Sequence, residues 1–325
     1  MVSARDLAAR LLPPLGRLRA QRDAFAARAD ALGAERDQLA AELSDAEGWG
    51  GGPRLFPPGH FYSPIPDLDE VRRREDAIFG VPENISGIDL RIDEQLALVN
   101  SLKQTWAAWP YYGRQQRGTR YQPDNDYFGH VDALLLFGLL CSLRPKRYVE
   151  VGSGWSSALV LDTRDRVLDG LDATFIEPYP ERLNSLLQVG DSAGTTILES
   201  PVQEVDPSPF EQLEPGDVLF IDSTHVSKVG SDVNHLFFDV LPRVAPGVWI
   251  HVHDIRYPFE YSPEWVYEGR AWNEAYLLRA LLTETPAWSI EVWASCLQTL
   301  RAEKFRQLLP AQATIDGASI WLRHQ

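Results

Sequence analysis

The chain has 325 residues, 44% of them hydrophobic and 24% charged, enough to bury a sizeable core in one large α/β domain with an appendage. Its formal net charge of −15 argues against a nucleic-acid partner, because proteins that hold phosphate backbones present a basic face, and here Arg114, Arg117 and Arg120 make only a local basic cluster. Cys141 and Cys296 lie in apolar runs outside any C-x-x-C spacing, which argues against a disulfide framework or thiolate zinc site and for free thiols in a reducing compartment. No apolar stretch approaches the ~20 residues of a membrane span. The start of the chain also lacks a signal-peptide core, so a cytoplasmic location away from membranes is expected.

The chain opens on a heptad stripe. Leu11, Leu18, Phe25, Leu32 and Leu39 recur every seven residues, with Leu15, Arg22, Ala29, Arg36 and Leu43 between them, and Pro13 and Pro14 suit a helix start. The pattern predicts a coiled-coil helix over 1–47 that wants a partner helix, in another copy or in a neighbouring protein. Homo-oligomerisation through this helix is the expectation. Gly48-Trp49-Gly50-Gly51-Gly52-Pro53 then breaks the helix. The stretch 48–120, rich in Pro and aromatics, reads as a linker and an irregular lead-in that covers the mouth of an α/β site or packs on its first helices.

A third segment, 121–325, carries a repeating alternation of helix and strand. Helices are expected over 131–143, 156–162, 180–187, 231–241 and 273–282, and strands over 147–151, 173–177, 195–198, 217–222, 247–254, 289–294 and 318–323. Seven strands alternating with helices imply an α/β fold whose sheet is covered on both faces, with an antiparallel strand inserted at its end.

The strongest motif is Glu150-Val151-Gly152-Ser153-Gly154-Trp155-Ser156-Ser157, where the first strand turns into a helix at the carboxyl edge that binds ligands in open α/β sheets. Glycines there let a ligand approach the main chain. A dinucleotide fingerprint would want a third small residue and a pyrophosphate at the helix start. The acid at position 150 would oppose a pyrophosphate and would favour a cationic amine. Glu177 closes the second strand, where an acid accepts hydrogen bonds from a ribose diol, and Gln203 follows the third strand, placed to meet an adenine edge or to lie solvated in a loop. At the ends of the fourth and fifth strands stand Asp222, His225, His251, His253 and Asp254, with His251 expected to be structural.

Glu150-Val-Gly-Ser-Gly, the strand-end Glu177 and Leu219-Phe-Ile-Asp222-Ser-Thr-His225 together resemble the successive motifs of class I S-adenosylmethionine-dependent methyltransferases, from about Tyr121 to the C-terminus. The resemblance implies a Rossmann-like seven-stranded sheet with S-adenosylmethionine lying over Glu150, Gly152, Ser153, Gly154, Ser156, Glu177, Gln203 and Asp222. It likens 121–128 to a pre-core helix that closes on the methionine end, which brings in Tyr127 and Phe128. It also likens the strand-end acids to those of metal-dependent O-methyltransferases of catechols and macrolide sugars. By position, Asp222 and Asp254 then become ligands of Mg²⁺ or another divalent cation, with His253, Asn273 or Glu274 as third donor. His225 becomes the base that takes a hydroxyl proton. Asp254 is followed by Ile255, a departure from the catechol pattern. The implied activity is O-methylation of a hydroxyl on a sugar or secondary-metabolite scaffold, with a small-molecule or glycan acceptor. N-methylation, a metal-dependent oxygenase, a nicotinamide dehydrogenase and a non-catalytic assembly factor with a nucleoside pocket are the competing functions.

Overall fold

The computed structural model describes residues 55–111, 118–168, 170–311, 313–314 and 316–325, together with Arg28. Arg28 apart, the expected coiled coil over 1–47 lies outside the described residues, as do Arg114 and Arg117. The chain divides into two compact units, Met1–Ser63 and Pro64–Gln325. In the first, the rings of Phe56, His60, Phe61 and Tyr62 pack on one another at 4.3–5.7 Å.

The second unit is built on a seven-stranded mixed sheet of order β3-β2-β1-β4-β5-β7-β6. Its strands are β1 (Arg147–Val151), β2 (Asp172–Ile176), β3 (Thr195–Leu198), β4 (Val218–Ile221), β5 (Trp249–Val252), β6 (Trp288–Trp293) and β7 (Ile320–His324). The first five are parallel, and β7 runs antiparallel between β5 and β6. β4 and β5 read Val-Leu-Phe-Ile and Trp-Ile-His-Val without polar alternation and are buried along their whole length, as strands covered on both faces must be.

Part of the lead-in packs on the first helix of the sheet unit's α/β segment, one of the two roles expected of it. The sheet unit begins at Pro64, and helix α1 (Ile92–Leu102) and the turn after it bury Val99, Leu102, Trp106 and Trp109 in the core. These side chains meet α2 (His130–Leu143), which is apolar all round and therefore belongs inside. Gly138 of α2 lets the indole of Trp106 come in close, and its Nε1–H donates to the Leu134 carbonyl at 3.1 Å. Helix α3 (Trp155–Val167) follows β1, α4 (Glu181–Leu186) follows β2, and α5 (Glu274–Leu282) precedes β6. The helix expected over 231–241 is a single α turn, Asp232–His235, running into a π segment, Leu236–Val240. Two helices that the hydrophobic pattern does not announce, α6 (Ala294–Leu300) and α7 (Ala302–Leu308), close the gap between β6 and β7. No helix among the described residues is long and apolar enough to cross a membrane.

The segment that leads into α2 is pinned by a buried cation. Arg120 pairs with Asp162 at 2.9 Å, with Asp165 at 2.8 Å and with Asp191, and the Tyr111 hydroxyl donates to the same Asp162. The backbone N–H groups of Arg120 and Tyr121 also donate to Asp162. Removing this guanidinium leaves Asp162 buried without a counter-charge and Asp191 with only the more distant Arg164 at 3.9 Å, and breaking a buried pair typically costs about 3–5 kcal/mol. Arg120→Met is expected to lower the unfolding free energy in urea on that scale; a wild-type midpoint would show that the network carries no net stability.

Candidate active site

β1 and β4 end against each other. Gly152 takes φ +85°, its N–H donates to the Ile176 carbonyl at 3.0 Å, and the Asp222 N–H donates to the Val151 carbonyl at 2.9 Å. A Cβ at position 152 would lie 1.7 Å from the Asp222 carbonyl oxygen, so only glycine fits. Beneath the turn, Glu150 is fully buried and its Oε1 accepts from the hydroxyls of Ser156 at 2.5 Å and Ser157 at 2.9 Å. Burial outweighs these two hydrogen bonds and pushes the Glu150 carboxyl up to about 8. Across the turn, Glu177 accepts from the Ser153 N–H at 3.1 Å and the Tyr179 N–H at 2.9 Å, which braces the end of β2.

Two cavities open on this edge and share Gly152, Glu177 and Asp222. One, of 430 Å³, runs toward Gln203 and Lys228. The other, of 540 Å³, is walled by Tyr127, Phe128, Trp155, Arg182, Trp265 and Trp272, with His225, His253 and Asp254 on its floor.

The floor is a cluster of carboxylates around one imidazole. His225 Nε2 lies 3.4 Å from Asp222 Oδ1 and 3.6 Å from Asp254 Oδ2, while Nδ1 donates to Glu274 Oε2 at 2.8 Å. Burial alone would lower the His225 pKa, but its bonds to Asp222 and Glu274 hold it well above the usual 6.5. Asp222 shows the reciprocal effect: burial would raise it, and His253 and His225 hold it below the ordinary carboxylate value. His225 and Asp254 both sit at positive φ, +61° and +56°, a conformation that side chains beyond glycine adopt only when their surroundings enforce it. At His225 the start of α5 holds it, since the backbone N–H groups of Asn273 and Glu274 both donate to the His225 carbonyl and the Asn273 side chain holds Ser227.

A family model described as a methyltransferase domain matches residues 149–255, which run from β1 to just past β5. An uncharacterized protein of Archaeoglobus fulgidus is 38% identical over 168 residues, half of this chain and 75% of that protein. The chain belongs to the class I S-adenosylmethionine-dependent methyltransferases. Among solved structures, the methyltransferase PaMTH1 of Podospora anserina, bound to S-adenosylhomocysteine, aligns over 80% of this chain and 98% of its own, with 14% identity and a TM-score of 0.38. The O-methyltransferase TomG of Streptomyces achromogenes, in complex with S-adenosylmethionine, aligns over 79% and 96%, with 12% identity and a TM-score of 0.37.

In this methyltransferase the glycine turn, the braced Glu177 and the two adjacent cavities that share them suit the cofactor. One buried atom on the cavity lining, Ser153 Oγ, has no hydrogen-bond partner among the described residues and can meet a polar ligand. The expected residues fall into three groups. Gly152, Ser153, Gly154, Ser156, Glu177, Asp222, Tyr127 and Phe128 line the larger cavity with His225, His253 and Asp254, and Gln203 lines the smaller one. Glu150 stands behind the turn, its Oε1 engaged by the two serines. Gln203 already donates its amide to the Gly230 carbonyl at 2.9 Å.

One expectation is corrected. The segment 121–128 is a loop, because Pro123 interrupts it and Asn125 Oδ1 accepts from the N–H groups of Tyr127 and Phe128 in place of a helical turn. Of the residues expected to hold a divalent cation, Asp222 and Asp254 both lie near His225 Nε2, at 3.4 and 3.6 Å. His253 turns its Nδ1 to His251 at 3.2 Å, and Asn273 and Glu274 clamp the 225 loop. Among the described residues no group of three or more His, Cys, Asp or Glu side chains is arranged to hold a metal ion. His251 itself is stacked flat on Phe220 at 3.8 Å, inside the sheet.

Sequence reasoning passed over Arg182 and Arg270 on the larger cavity, and no spacing rule singles out an arginine in a short helix or a surface loop. Trp265 and Trp272 add two indole faces to the same cavity wall. Arg270 stacks on both, at 4.9 and 5.0 Å, and Arg256 covers Trp265 at 4.9 Å.

The buried Glu150 makes a pH-dependent prediction. Its folded pKa of about 8 lies above the ordinary 4.5, so the stability associated with its neutral form is complete below 4.5 and is lost as pH rises through 8. Glu150→Gln should therefore gain melting temperature relative to wild type between about pH 5 and about pH 9. A difference independent of pH would mean that Glu150 titrates normally.

Proposed function

We propose that this methyltransferase transfers the methyl group to a hydroxyl oxygen of a small-molecule or glycan acceptor, a sugar or another secondary-metabolite scaffold. The observation that carries this proposal is the Glu274–His225 pair aimed at a cavity floor flanked by Asp222 and Asp254. The cofactor supplies an activated methyl group on a sulfonium, so the chain's own residues have only to position the acceptor and take its proton. Trp265 and Trp272 offer flat apolar faces for a ring-shaped acceptor on the wall above His225, and the Trp272 ring lies 4.5 Å from the imidazole. The hydroxyl proton passes to His225 Nε2 while Glu274 holds the tautomer through Nδ1.

The same carboxylates that orient His225 also keep it protonated, so the base is available only as pH rises above its raised pKa. The rate should climb along a limb lying above 6.5, and Glu274→Gln, which removes a raising hydrogen bond and charge, should move that limb toward acid. His225→Ala should lose about 10²–10⁴ in kcat with cofactor binding intact. Release of S-adenosylhomocysteine over a panel of hydroxylated and aminated ring acceptors measures all three. Full turnover in His225→Ala, or turnover confined to amines, would overturn the assignment. Metal assistance is decided in the same assay: loss of rate in EDTA restored by Mg²⁺ adopts it, and an unchanged rate removes it.

A further inference from the structure

Arg182 stands in the second position of α4, just past the strand-end Glu177, and reaches over the glycine turn. Its Cδ would lie 3.1 Å from a Cβ on Gly154, and its guanidinium sits 3.8 Å above the ring of Tyr127. The two side chains thus meet across the cavity from separate segments, the α4 start and the loop anchored by Asn125. Arg120 and Arg270 are paired with carboxylates, whereas Arg182 makes no salt bridge among the described residues. It shares the cavity with the acids Asp126, Glu177, Asp222 and Asp254, and with Arg270, whose guanidinium is paired with Glu268. An anion entering there has one wall to pair with on the glycine-turn side, and that wall is Arg182.

The amino-acid end of S-adenosylmethionine is a zwitterion. Its ammonium suits the acids around the turn, and its carboxylate needs a cation of planar, two-pronged geometry. We propose that Arg182, laid over Tyr127, binds the cofactor carboxylate and with that ring closes the methionine end of the site. This rests on the cofactor lying over the glycine turn. The Tyr127 face holds the guanidinium in place before the ligand arrives, which reduces the side-chain ordering that binding costs.

The test compares two probes by calorimetry, S-adenosylhomocysteine and its decarboxylated analogue, which keeps the ammonium and lacks the carboxylate. Arg182→Ala should weaken S-adenosylhomocysteine by about 10–100-fold, as for a lost charge-assisted hydrogen bond, and leave the analogue unchanged. Arg182→Lys should recover part of the loss, and Tyr127→Ala should reduce the preference for the carboxylated probe where Tyr127→Phe does not. Arg182 is exposed, so matching melting curves are expected for each variant. Equal weakening of both probes would show that Arg182 shapes the pocket without reading the carboxylate, and no weakening of either would remove it from the site. If wild type binds neither probe, the cofactor site itself is misplaced and the proposal falls with it.

Discussion

Gly152 meets the Asp222 carbonyl with no room for a side chain, since a Cβ there would lie 1.7 Å from the oxygen. That contact sets the spacing of the carboxyl ends of β1 and β4, and both cavities share the two residues that make it. From it follow the path of the turn, the start of α3 and the position of Asp222 at the cavity floor. Glu150 is the hidden counterpart. Its hydrogen bonds to Ser156 and Ser157 fasten the first turn of α3 from below, so the glycines can stay open to a ligand above.

The second organising feature is charge held close and dry. Asp222, Asp254 and Glu274 surround His225, and His253 adds a further imidazole beside Asp222 and Asp254. In a low-dielectric floor these groups reinforce one another's ionisation, which is why His225 is raised while Asp222 is lowered. Holding His225 and Asp254 at positive φ costs about 1–3 kcal/mol each in general. The α5 start offsets part of that cost by capturing the His225 carbonyl with two N–H groups and the imidazole with Glu274. A helix some fifty positions further along the chain therefore fixes the geometry of the β4 loop, and α5 is as much a part of the site as the strand ends.

Most of the sheet was legible because buried parallel strands leave an unmistakable record. Tyr-Val-Glu-Val, Val-Leu-Phe-Ile and Trp-Ile-His-Val are short apolar runs between helical stretches, and the late β7 was readable as an inserted antiparallel strand. The helices α6 and α7 escaped notice because each is only seven residues long and α6 starts directly where β6 ends. Which role the lead-in takes was not legible, because its order comes from tertiary burial of Trp106 and Trp109 and from the Arg120 network, and neither leaves a local pattern. At the site, the strand-end acids and His225 could be read from spacing. Their pairing could not: whether a carboxylate faces a metal, a proton or an imidazole depends on side chains that approach from α5, and only folding brings those together.

The account rests on one ligand assignment at the glycine turn, and a calorimetric titration of the purified chain with S-adenosylhomocysteine and, in parallel, with NAD addresses it directly. Saturable binding of one S-adenosylhomocysteine per chain, with no heat from NAD, is the predicted result. Binding of NAD in place of S-adenosylhomocysteine would contradict the account, because a pyrophosphate would then have to lie over the turn that Glu150 underlies.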